Sequence, residues 1–220
     1  PHDVYPAILA GEISRWSDPR IAAANPGLAL PDSTIALVAR LDSSGTTFAL
    51  SNNLSAVSPS WSSRHGAATR IDWPSGAMLV RGNEGVAGRI KVTEGAIGYV
   101  EYGFARRLGL PTAELENRAG SYVAATPESG AQALTETLAE MPADLRMFVG
   151  DPTGAGSYPI VTYSWLILYE RYPDAERRAA VEAFVRWGIT EGQRQSAELG
   201  YIPLPEPVIQ RALAALSAVG

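Results

Sequence analysis

The sequence predicts an α/β protein, and two stretches and one compositional fact carry that prediction. Thr34 to Ala39 (TIALVA) is an apolar run of strand length, followed by a small polar turn and a helical stretch. Asn83 to Leu108 continues the alternation as helix, strand and helix. With 46% hydrophobic and 19% charged residues, 220 residues can bury the core of one large domain or two small ones.

Tyr5 to Ile13 reads as a short amphipathic helix. Asp18 and Pro19 supply the cap and first-turn proline of another, running to about Ala24 and closed by Asn25-Pro26-Gly27. After the strand and the turn Arg40 to Gly45, a helix is expected from Thr46 to about Leu54. Asn83 and Glu84 open a helix through about Val92, Ala96 to Val100 reads as a buried strand, and Glu101 to Leu108 as a helix. Another helix is expected over Pro127 to Glu140. Val149 to Ser157 (VGDPTGAGS) is rich in Gly, Pro and small polar residues, which marks a boundary. The expected division is residues 1–149, a crossing at 150–157, and 158–220. Beyond it, Ile160 to Tyr169 reads as an apolar strand, with helices near Asp174 to Ile189, Glu191 to Leu199 and Glu206 to Leu216.

Composition removes several function classes. There is no cysteine and there are two histidines, so neither a thiolate metal site nor a zinc or iron centre is expected, and no motif calls for a metal or organic cofactor. The net charge of −5 and the scattered bases argue against nucleic acid as a partner. No apolar run is long enough to cross a bilayer, and Pro1 to Pro6 lack the features of a signal peptide.

The chemistry concentrates in Arg40-Leu41-Asp42-Ser43-Ser44-Gly45-Thr46-Thr47, where a strand ends and a helix begins. Backbone N–H groups without intrahelical partners, together with the helix dipole, favour an anion there. Gly45 lets it approach the backbone, Ser44 and Thr46 add hydroxyl donors, and Arg40 offers a planar fork to two oxygens. Asp42 either pins the Arg40 guanidinium or accepts a proton from the ligand. A plain serine cap followed by a surface ion pair would produce the same string.

Resemblance over most of the chain favours the binding site. AGEISRWSDPRIAAANPG at Ala10 to Gly27, RLDSSGTTF at Arg40 to Phe48 and LSAVSPSW at Leu54 to Trp61 carry it first. WPSG at Trp73, GNEGVAG at Gly82, GAIGYVEYGFA at Gly95, YPIVTYS at Tyr158 and WGITEGQRQSAELGYIPLPEPVI at Trp187 to Ile209 extend it. These segments resemble the phosphate-binding proteins of bacterial phosphate ABC importers. The resemblance implies a type II periplasmic-binding-protein, or venus-flytrap, fold with one lobe complete and the second partial. It implies phosphate-ligand roles for Arg40, Ser44, Gly45 and Thr46, with Asp42 orienting Arg40. It further implies permease subunits as membrane partners, a periplasmic location, and binding without catalysis.

Ser43 stands where the family has glycine, and Ala77 to Arg81 replaces a glycine-rich turn. Family members also carry a stretch before the equivalent of Tyr5, so a separate N-terminal fragment or self-association is an expected partner. A sensor or scaffold domain that has lost its oxyanion is one alternative. A serine hydrolase using Ser44 is another, although the loop offers it no histidine or lysine base. His65 and His2 read as surface residues, the five tryptophans as packing, and Asn83 with Glu84 as a helix cap outside the site, with a cleft-facing Asn83 as the alternative.

Overall fold

An apolar run with no polar alternation must be covered on both faces, and this one forms the central strand. In the computed structural model, which describes residues 1–219, β1 (Ala36–Arg40) has Val38 and Ala39 wholly buried. β1 pairs in parallel with β2 (Met78–Val80) on one side and β3 (Ala96–Gly98) on the other. Gly98 permits that approach, because a Cβ there would stand 2.6 Å from the Val38 carbonyl oxygen.

Helices fill the connections. α1 (Tyr5–Leu9) and α2 (Pro19–Ala24) precede the sheet. α3 (Gly45–Val57) and α4 (Pro59–Arg64) lie between β1 and β2, α5 (Gly82–Val92) between β2 and β3, and α6 (Tyr102–Leu108) follows. A small antiparallel hairpin, β4 (Leu115–Glu116) with β5 (Tyr122–Val123), leads to α7 (Pro127–Glu136). Then come α8 (Ala175–Ile189), α9 (Ser196–Leu199) and α10 (Glu206–Leu216). Caps set several starts: Asp18, Ser44, Ser58 and Asp174 accept first-turn N–H groups, and Thr126 with Ser129 closes a capping box before α7.

Leu37 and Ala39 pack with Tyr5, Leu9, Leu50, Leu54, Trp61 and Trp73 into the core beneath the sheet. A separate cluster joins Ala133, Leu134, Met141 and Val149 to Val161, Tyr163 and Val208. In packing terms α7 therefore shares a cluster with residues beyond 149. Side-chain amides fasten the crossing. Asn52 Nδ2 donates to the Val149 carbonyl at 3.0 Å, and Asn53 Nδ2 to those of Gly150 at 2.8 Å and Pro159 at 3.2 Å. Asn117 Nδ2 donates to the carbonyls of Gly154, Ala155 and Ser157.

Several expectations are corrected. The first helix ends at Leu9, because Gly11 at φ 76° turns the chain before Ile13. The helix expected to Glu140 closes in a 3-10 turn over Thr137–Glu140, and the one from Glu191 is a 3-10 segment to Gln195 before α9. Ile160 to Tyr169 is not a strand: it has no regular secondary structure and pairs with no strand among the described residues. Val161 and Tyr163 are buried, whereas Leu166, Ile167 and Tyr169 face outward. An apolar composition makes a strand only where a partner ladder exists. Trp165 and Trp187 are partly exposed, at 39% and 47%, although Trp165 still packs its ring against Phe148. His65 is partly buried and sits against the Trp61 ring at 4.6 Å, which corrects its expected surface position.

Candidate functional site

Parallel pairing places Arg40 opposite Val80, so β1 and β2 end at the same level and α3 and α5 both begin there. The Leu41 N–H donates to the Val80 carbonyl at 2.9 Å, closing the two turns against each other. The loop Arg40–Thr46 thus meets Gly82 and Asn83, some forty residues further along the chain.

Arg40 is the anchor, with its side chain only 9% exposed. Its Nε donates to Asp42 Oδ1 at 2.9 Å and its Nη2 to Asp42 Oδ2 at 2.6 Å, a two-pronged ion pair. Its Nη1 donates to Asn83 Oδ1 at 3.3 Å. Three of the five guanidinium donors are thereby engaged and two remain. Asp42 Oδ1 also accepts the Gly82 N–H at 3.2 Å, which Gly82 presents from φ 69°. The hydrogen bonds from Arg40, followed by that from Gly82, hold the Asp42 carboxyl well below the usual carboxylate range. Asp42 raises the Arg40 pKa in turn. Of the two roles open to Asp42, the geometry is that of a carboxylate engaged with Arg40.

The start of α3 supplies the other donors. The Ser44 hydroxyl accepts the Thr47 N–H at 3.2 Å and retains its own hydrogen to donate. The Ser44 backbone N–H is taken by the Thr69 carbonyl at 2.9 Å. The N–H groups of Gly45 and Thr46 have no partner among the described residues. A Cβ on Gly45 would meet nothing within 4 Å, so the helix start is open on that side. Thr46 Oγ1 donates to Asn83 Oδ1 at 3.4 Å. Beneath the loop, the Tyr99 hydroxyl accepts the Arg40 N–H at 3.2 Å and lies 2.7 Å from Thr47 Oγ1. Burial pushes its pKa up, so it stays a neutral support.

Arg40, Asp42, Ser44, Gly45 and Thr46 are therefore brought together. Of the two readings of Asn83, the contacts are those of the side chain facing the loop and not of a helix cap: α5 begins at Gly82, and the Asn83 amide turns to Arg40 and Thr46. Ser43 is tied sideways to Thr69 Oγ1 at 2.9 Å, and the Ala77 to Arg81 segment contains β2. The arrangement can hold a small oxyanion by hydrogen bonds at a helix start, and among the described residues no side-chain base is hydrogen-bonded to the Ser44 hydroxyl.

A parallel sheet whose strand ends carry a loop of uncommitted donors at a helix start defines an α/β domain with a candidate site at those strand ends. The chain belongs to the PBP superfamily: the model of the PBP superfamily domain matches residues 2–191. Among curated proteins it is 39% identical over 204 residues to the phosphate-binding protein PstS of Xylella fastidiosa strain Temecula1, covering 93% of this chain and 56% of that protein. It is 37% identical to PstS of Pasteurella multocida, covering 95% and 60%, and 33% identical to that of Methanocaldococcus jannaschii, covering 99% and 60%. The chain thus spans under two thirds of the length of these relatives. Among solved structures it resembles a high-affinity periplasmic phosphate-binding protein bound with phosphate, at TM-score 0.63 and 18% identity over 97% of this chain and 62% of that one. It also resembles the phosphate-binding protein of Stenotrophomonas maltophilia, at TM-score 0.63 and 20% identity over 95% and 62%. The fold is accordingly of the periplasmic-binding-protein type.

Proposed function

We propose that this chain binds inorganic phosphate reversibly at the Arg40–Thr46 loop, as the solute-capturing part of an ABC-type phosphate importer. The observation that carries the reading is the set of uncommitted donors at one point: the Gly45 and Thr46 N–H groups, the Ser44 hydroxyl and two guanidinium N–H groups. Each matches an oxygen of a tetrahedral anion, and the start of α3 adds a favourable dipole. Membrane permease subunits are the partners of such a protein and the periplasm is its place. Among the described residues no helix is long and apolar enough to cross a membrane. Binding without turnover rests on the lack, among the described residues, of a base hydrogen-bonded to the Ser44 hydroxyl.

Asp42 has one oxygen occupied by Arg40 and the other shared between Arg40 and Gly82, so it is poorly placed to accept a proton from the ligand. The loop therefore discriminates poorly between phosphate, which carries such a proton, and sulfate, which does not. Calorimetric titration with both anions, alongside a hydrolase assay on the same sample, tests the reading. The expected result is phosphate binding, sulfate within about a hundredfold of it, and no turnover. Absence of phosphate binding would favour a sensor or scaffold domain, and hydrolysis abolished by Ser44→Ala would favour an enzyme.

A further inference from the structure

We infer that Asn83 is a positioning residue of the anion site, acting as a neutral brace on the Arg40 guanidinium; this rests on reading the loop as an oxyanion site. Two adjacent residues at the start of α5 hold the two halves of one ion pair. The Gly82 N–H donates to Asp42 Oδ1 at 3.2 Å, and Asn83 Oδ1 accepts from Arg40 Nη1 at 3.3 Å. The same amide oxygen lies 3.4 Å from Thr46 Oγ1, so one atom touches both a charged and a hydroxyl donor of the site.

The choice of amide matters. Asp42 already offsets the charge of Arg40, and a carboxylate at position 83 would place a second negative group on the same guanidinium. Any bound anion would then meet net repulsion. An amide oxygen fixes the plane of the fork and removes no positive charge. Without an acceptor there, the Nη1 group is held only through Asp42 on the opposite edge of the guanidinium, and an anion must order it on binding.

The test compares the native chain with Asn83→Ala and Asn83→Asp, reading phosphate affinity by calorimetry and rotation of the Arg40 Nη groups by 15N NMR. Asn83→Ala should speed Nη rotation and weaken phosphate about tenfold at an unchanged unfolding midpoint. Asn83→Asp retains the acceptor and favours the helix start, so Nη rotation should stay slow while affinity falls further, by about a hundredfold. The inference is overturned if Asn83→Ala leaves Nη rotation unchanged, whatever happens to affinity, or if Asn83→Asp binds phosphate as the native chain does. A native chain that binds no phosphate sinks the functional reading, while Nη rotation still judges the brace.

Discussion

At the scale of single residues, the site separates charge, space and protonation into different side chains. Lysine at position 40 could keep the charge but not the fork that grips Asp42 and leaves two donors outward. Arg40→Lys should weaken phosphate binding by about 1.5–3 kcal/mol, measured by calorimetry. Gly45 has an ordinary helical φ and open space at its missing Cβ, so Gly45→Ala should leave thermal stability unchanged or slightly raised. Phosphate affinity should fall, because the methyl group enters the space before the free N–H groups; equal affinity would remove Gly45 from the site. Asp42 titrates lower in the folded chain than in the unfolded one, chiefly through Arg40. Its stabilisation is complete above the unfolded pKa of about 4 and fades as pH falls through the folded value. Urea unfolding at stepped pH should show native and Asp42→Asn differing in stability near neutrality and converging below about pH 4.

At the scale of elements, local sequence reached the strand, the loop and the helix that follow one another in the chain. The run TIALVA had to be buried, and Ser44-Gly45-Thr46 had to begin a helix, so the five residues of the candidate site could be placed at one strand end. Gly82 and Tyr99 were not, and Asn83 only as an alternative to a cap, because long-range strand pairing delivers them. Val80 lies opposite Arg40 and Gly98 opposite Val38, relations that a three-residue strand such as β2 does not announce. Ile160 to Tyr169 failed in the opposite way: its composition suits a strand, but no strand lies beside it. α3 also carries a feature hidden within its helical pattern. Asn53 is fully buried, accepts the Tyr5 hydroxyl at 2.6 Å and donates to two carbonyls beyond residue 149. Asn53→Leu leaves those carbonyls and that hydroxyl without partners and should lower stability by about 2–4 kcal/mol in chemical denaturation.

At the scale of the whole molecule, the two hydrophobic clusters meet at Ile160 and Val161, neighbours in sequence that pack into different cores. From there the chain runs outward. The backbone N–H groups of Val161 to Leu168 find no acceptor among the described residues, and Ile167 is 95% exposed. Exposed apolar backbone with unpaired N–H groups favours pairing with another chain. Light scattering should therefore show concentration-dependent association of the 220-residue chain, reduced by Ile167→Lys; a monomer at all concentrations would contradict it. The asparagine clasps have a different consequence, one for inheritance. Asn52, Asn53 and Asn117 hold the crossing by carbonyl oxygens, which every residue type possesses. The exposed positions Thr153 and Ala155 are thus free to drift over generations while the attachment persists, and a library randomised at those two sites should lose few folded members. The same library built at Asn53 and Asn117 should lose most of them.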